Sequence, residues 1–175
     1  MKTQIRRGAF ETNSSSTHAI NIYCGTNYNI PERVVVCPGE FGWECDKFYD
    51  FESKLSYLYT WILSKCNSYE LNEVTNEYES KYDYKLLKDY QYRIKSKLEE
   101  LGVKEVEFEK RNGWFEDGYI DHSEDLYSDD LESILENYFE DFIFNDASYI
   151  ETGNDNDDYD VDTDPNADFS IYKGN

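Results

Sequence analysis

RRGAFETNSSSTHAINIY, residues Arg6 to Tyr23, changes character along its length. Its first part is polar: two arginines, Glu11, Asn13, three serines, Thr17 and His18. Its last part, AINIY (Ala19 to Tyr23), alternates apolar and polar residues with the period of a strand that buries one face. A strand needs partners, so a sheet enters the fold here and the polar stretch becomes its approach.

Further along, RVVVC (Arg33 to Cys37) is a second β-rich run after Pro31, and its unbroken valines predict burial on both faces. CPGEFGWE then places Pro38, Gly39 and Gly42 around Glu40 and Glu44 and reads as a loop. In FESKLSYLYTWILSKC, Leu55, Leu58, Tyr59, Ile62, Leu63 and Cys66 recur at the spacing of one apolar helix face, which predicts a helix packed on the sheet. The charged segment 70–101 carries Tyr78, Tyr82, Leu86, Leu87, Tyr90, Ile94, Leu98 and Leu101 at roughly helical spacing. It predicts one long helix or two shorter ones ending at Gly102. VKEVEFE (Val103 to Glu109) alternates again. After the Asn112-Gly113 turn pair, DDLESILENYFEDFIF predicts a helix from about Ser128 or Asp129, with its acids at the positive end of the helix dipole.

These segments predict an α+β fold: a small mixed or antiparallel sheet from 19–23, 33–37, 103–109 and the 169–172 segment. The 51–66 and 70–101 helices cover it, with an acidic helix near 129–142 beside it. The expected organisation is one domain over 1–150 and an acidic, solvated tail over 151–175, with FSIY as a last strand or a docked segment.

Charge divides the chain more sharply than hydropathy does. Residues 1–111 hold 16 basic and 18 acidic residues; residues 112–175 hold 20 acids and a single base, Lys173. The last third is a polyanion that repels free nucleic acid and is drawn to the basic clefts of proteins that bind it. Aromatic residues make up 17% of the chain, which excludes wholesale disorder. Cys24, Cys37, Cys45 and Cys66 form no C-x-x-C pair, so buried free thiols are expected rather than disulfides or structural zinc. With no signal peptide and no long apolar run, the expected place is the cytoplasm, away from membranes.

The chain has only two histidines, His18 and His122, and both sit in polar sequence off any apolar stripe. Brought together, they can act as general base and acid for attack of a ribose 2′-hydroxyl on its phosphate. Arg6 and Arg7 suit the phosphate, and Ser14, Ser15, Ser16 and Thr17 add donors to its oxygens. Such cleavage needs no metal and no cofactor. The alternative reading of the stretch is a serine-rich turn in which Asn13 and the serines cap backbone groups. A metal reading gathers Glu11, His18, Glu40, Glu44, Asp121 and His122, but no fixed spacing supports it. In the tail, Asp160, Asp162, Asp164, Asn166 and Asp168 alternate like a calcium loop, yet Pro165 and Ile171 replace its glycine and terminal glutamate.

RRGAFETNSSSTH, GEFGWE (Gly39 to Glu44), KLSYLYT (Lys54 to Thr60) and YIDHSED (Tyr119 to Asp125) together resemble a group of small proteins from phages and mobile elements of Gram-positive bacteria. Their signature is a basic pair, a glycine, F-E-T-N-S-S-S-T-H and a later I-D-H. Some are associated with anti-CRISPR proteins directed at type II Cas9, including ones that reduce or truncate the guide RNA. The resemblance spans scattered blocks over residues 4–125. It implies a shared site at Arg6, Arg7, Glu11, Asn13, Ser14, Ser15, Ser16, Thr17, His18, Asp121 and His122.

Two functions follow as expectations. The first is a phage-type inhibitor that attacks the guide RNA of a Cas9 complex, with His18, His122 and Glu11 catalytic and Asp121 supporting. The second is binding alone, the polyanion imitating a nucleic-acid backbone in a basic groove. The first requires a basic partner that presents the RNA and the second only a basic groove; in either case the expected partner is Cas9 or another basic nucleic-acid-binding protein of a bacterial host cell.

Overall fold

A computed structural model describes residues 16–42, 45–72, 77–109, 118–121, 128–154 and 161–173. The strands are β1 (Ser16–Ile22), β2 (Arg33–Val36), β3 (Glu40–Phe41), β4 (Asp46–Phe48), β5 (Asn67–Asn72), β6 (Glu77–Tyr82), β7 (Glu105–Phe108), β8 (Tyr119–Ile120), β9 (Tyr149–Asn154) and β10 (Phe169–Lys173). The helices are α1 (Phe51–Lys65), α2 (Tyr84–Glu100), α3 (Ser128–Ser133) and α4 (Phe139–Phe144), the last two joined by a π-helical turn over Ile134–Tyr138. The fold is α+β, built on a four-stranded sheet of order β10-β1-β9-β4 in which every pairing is antiparallel.

β1 is an inner strand of this sheet, so it is buried along almost its whole length, on both faces. One expected companion, the 169–172 segment, lies beside it as β10; the other two do not. Residues 33–36 and 105–108 pair with each other as a separate parallel ribbon, β2-β7, while β9 flanks β1 on its other side and β4 pairs with β9 at the edge. Nor are the valines of β2 buried on both faces: Val34 and Val36 face the core and Val35 is 48% exposed, the pattern of a two-stranded ribbon with one wet side.

Residues 67–72 and 77–82 pair as antiparallel strands, β5 and β6, where a helix was expected from Glu70 onward. Tyr78 and Tyr82 are four apart, and a spacing of four falls on one face of a helix and on one face of a strand alike. Helix begins only at α2, where Asp83 caps the backbone N–H groups of Lys85 and Leu86. It ends where Gly102 predicts: Val103 N–H bonds the Leu98 carbonyl and Gly102 N–H that of Glu99. Arg93 grips Glu132 of α3 through two bonds of 3.2 and 2.6 Å, and Tyr90 donates to the same carboxylate, which joins the two helices.

α1 is not amphipathic in place. Leu55, Tyr57, Leu58, Tyr59, Trp61, Ile62 and Leu63 are all buried, because the helix runs through the core with other elements around it. Position 150 is no break in the sheet either: β9 crosses it, and β10 packs along β1. The segment 161–168 is tied down at several points, although Asp162, Pro165, Asn166 and Asp168 are exposed. Val161 is buried, Asp164 accepts from the Tyr23 hydroxyl, and Asp168 accepts from the Cys24 N–H at 2.7 Å. Tyr23 is pushed up to about 12, chiefly by that bond to Asp164. All four cysteines are free, but only Cys66 is fully buried; Cys24 and Cys45 are exposed. Among the described residues, no helix is long and apolar enough to cross a membrane.

One core cation has a measurable signature. Lys54 of α1 is fully buried and its ammonium donates to the carbonyls of Asn145 and Ser148 at 2.7 and 3.0 Å. Burial pushes its pKa down to about 8, against partial support from Asp146 and Asp50. The unfolded chain therefore binds the extra proton between about pH 8 and pH 10.5, so this group adds stability as pH rises through that window. At full desolvation the gain is roughly 3 kcal/mol, at about 1.4 kcal/mol per pH unit. The tyrosines held above their ordinary range, Tyr23, Tyr28 and Tyr90, act in the opposite sense, but only above pH 10. Urea midpoints from pH 8 to 10 should rise for the native protein relative to Lys54→Met, in which this slope is absent.

Candidate functional site

Cross-strand neighbours share a face, and one row across the central sheet reads Lys173, His18, Thr152, Asp46. The next row on that face reads Ile171, Ile20, Ile150, Phe48. Lys173, His18 and Thr152 are buried, at 5%, 1% and 1% exposure. Burying an ammonium, an imidazole and a hydroxyl side by side is unfavourable unless each is bonded, and an apolar row like its neighbour would be more stable. The polar row is a place where stability has yielded to another requirement.

Each long side chain in this row holds a main-chain carbonyl. The His18 Nε2 lies 3.1 Å from the Asp121 carbonyl oxygen and 3.0 Å from the Ser16 Oγ, and Ser16 Oγ itself donates to the Asp121 oxygen at 3.0 Å. A carbonyl only accepts, so Nε2 carries a proton, and in the neutral ring the opposite nitrogen, Nδ1, is the acceptor. It faces the Tyr57 hydroxyl of α1 at 3.4 Å. Burial pushes the Tyr57 phenol far up, so it stays an O–H donor and fits this tautomer. The Lys173 ammonium donates to the Ser16 carbonyl at 3.3 Å.

The polar row thus fixes two points of the chain against each other. One is Ser16, at the start of β1; the other is the carbonyl group of Asp121. β8 brings Asp121 there by pairing in parallel with β3, with Tyr119 N–H on the Gly39 carbonyl and Asp121 N–H on that of Phe41. Gly42 leaves the room: a Cβ on it would lie 2.8 Å from Asp121 Cβ and 3.1 Å from His18 Nε2.

Of the expected site residues, Ser16, His18 and Asp121 meet. Thr17 lies between Ser16 and His18 on a strand and so belongs to the opposite face, across from Gly153. Arg6, Arg7, Glu11, Asn13, Ser14, Ser15 and His122 lie outside the described residues. Of the metal-type set, Glu40 sits exposed on β3, apart from the buried His18, and Glu44 is likewise outside the described residues. No group of three or more His, Cys, Asp or Glu side chains suited to a metal gathers among the described residues.

Sequence reading missed Tyr57, Gly42, Thr152 and Lys173. Tyr57 was hidden among core-spaced neighbours in KLSYLYT, whereas Lys173 had a visible mark as the single base of the acidic third. Each of the four motif blocks supplies a contact around the His18 ring: Ser16, Gly42, Tyr57 and Asp121. No protein-family model matches the chain, and neither a curated protein nor a solved structure matches it.

Proposed function

We propose that this protein is a phage or mobile-element inhibitor of a type II CRISPR system, acting in the bacterial cytoplasm on guide RNA that Cas9 presents. The observation that carries the reading is the convergence of the four motif blocks, the first and last of them more than one hundred residues apart in sequence, on one buried imidazole. In this reading His18 is a positioning residue, since both ring nitrogens face protein partners. His122 and Glu11 exchange protons with the RNA, and Arg6 and Arg7 neutralise the phosphate. The base takes the 2′-hydroxyl proton as O2′ bonds to phosphorus. The bond to O5′ breaks and the acid protonates that oxygen, leaving a cyclic phosphate and a free 5′-hydroxyl. The acids concentrated in residues 112–175, the part of the chain that holds His122, support a requirement for a basic partner to hold RNA at that site.

A second reading, groove blocking by charge, is favoured by the helix pair α3 and α4, whose outer surface presents Asp129, Glu136 and Glu140 while its apolar residues face inward. One experiment separates the two. Labelled guide RNA in a Cas9 complex is incubated with the protein in EDTA. The native protein should shorten the guide, and His122→Ala should slow this at least about 100-fold. An intact guide with the native protein sinks cleavage. Inhibition that then vanishes when Asp129, Glu136 and Glu140 become amides establishes the second reading instead. Removal of the tail is no substitute for those amides, because it takes away β10 and Lys173.

A further inference from the structure

Tyrosines at helical spacing are expected in the core, yet two on α2 are among the most exposed apolar residues described. Tyr84 and Tyr92 are 67% and 70% exposed. At about 100° per residue, Tyr84, Lys95, Lys88, Tyr92 and Lys85 fall within one sector of roughly 100°, which does not overlap the sector of Leu87, Tyr90, Ile94 and Leu98 that faces the core and whose near edge lies about 40° from Tyr84. Lys85, Lys88 and Lys95 are exposed with them. A single acid, Glu99, shares the sector, at its far end and 3.7 Å from Lys95. In a protein of net charge −21, α2 holds five bases against three acids.

Alternating rings and ammonium groups match a single nucleic-acid strand, whose bases stack on rings while its phosphates meet the cations. The two tyrosines stand about 12 Å apart along the axis, the length of three or four stacked nucleotides at ~3.4 Å each. Tyr84 is braced for this, its ring set edge-on against Tyr82 at 4.8 Å. A duplex hides its base faces, and an acidic protein has no use for the rings. The carboxylates elsewhere are screened beyond about 8 Å at physiological salt, so the local charge of this face governs what approaches it.

We infer that this face of α2 binds single-stranded RNA, with bases on Tyr84 and Tyr92 and phosphates on Lys85, Lys88 and Lys95. The choice of RNA rests on the proposed function; the binding is independent of the His18 site and is read without cleavage. The test is fluorescence anisotropy of a labelled oligouridine of about a dozen nucleotides at ~0.15 M salt, in a His122→Ala background. Tyr84→Ala and Tyr92→Ala should each weaken binding at least about fivefold, Tyr→Phe at either position should retain it, and Lys85→Gln with Lys88→Gln should flatten its salt dependence. Absence of binding overturns the inference, as does equal weakening by phenylalanine, or competition by polyglutamate or duplex RNA as effective as that of the single strand. Binding that behaves as expected in a protein unable to cut its guide keeps this inference and removes the nuclease reading alone.

Discussion

Gly118→Ala should cost about 2–4 kcal/mol of stability and silence the site at the same time. Gly118 has φ +67°, the left-handed region that glycine enters freely, and a Cβ there would lie 2.2 Å from the Gly39 carbonyl oxygen and 2.7 Å from its nitrogen. Both obstacles are main chain, so no rotamer change relieves them. Gly39 cannot retreat, because its N–H is held by Thr60 Oγ1 at 2.8 Å. The strand must therefore separate at β3-β8, and Asp121, three residues on, leaves the His18 ring. Urea denaturation reads the stability loss, and guide shortening reads the site. In the Gly118→Ala protein, adding His18→Ala should change guide shortening little further, since both substitutions undo the same junction. Full additivity would mean that Gly118 acts elsewhere.

The second large effect belongs to His18. His18→Ala removes the donor to the Asp121 carbonyl, leaves the buried Tyr57 hydroxyl without its acceptor, and opens a void under α1. A cost of about 2–4 kcal/mol follows from an orphaned buried donor plus a cavity. Guide shortening should fall at least about 100-fold, the scale set by displacing a reacting group by about 1 Å. His18→Gln gives the decisive comparison. Its side-chain N–H can reach the Asp121 oxygen and its carbonyl can accept from Tyr57, so a positioning role predicts recovery of most stability and a substantial part of the activity. A glutamine variant as inactive as alanine yet as stable as the native protein would instead make His18 a proton carrier.

The sequence was most legible where local chemistry and tertiary need agree. AINIY is a strand because its alternation suits the sheet, and α2 stops at Gly102 because the C-terminal carbonyls need the bonds that Gly102 and Val103 supply. Legibility failed where spacing is degenerate, as with Tyr78 and Tyr82, and where strands are too short to carry a pattern, as with DKF in β4. It failed too in β9, where Glu151 is buried against Lys47 across the strand pair at 3.0 Å; a charged residue on a half-polar strand reads as loop until its partner is known. For the site, His18 and Asp121 could be singled out as chemistry, but their meeting depends on the β3-β8 pairing of two-residue strands. Lys173 shows the same limit: it enters the site through cross-strand register alone.

The place of β1 also sets when the molecule can work. The strands that flank it, β9 and β10, lie far downstream, the first beginning roughly 130 residues after β1 begins; at about 5–20 residues per second a ribosome takes roughly 7–27 s to reach it. Throughout that interval a strand destined to be buried on both faces has no neighbours in its sheet, so it relies on chaperones or remains exposed to wrong pairings. His18 cannot acquire Lys173 across from it until β10 has been made as well. Chains that still lack β10 therefore lack the complete polar row.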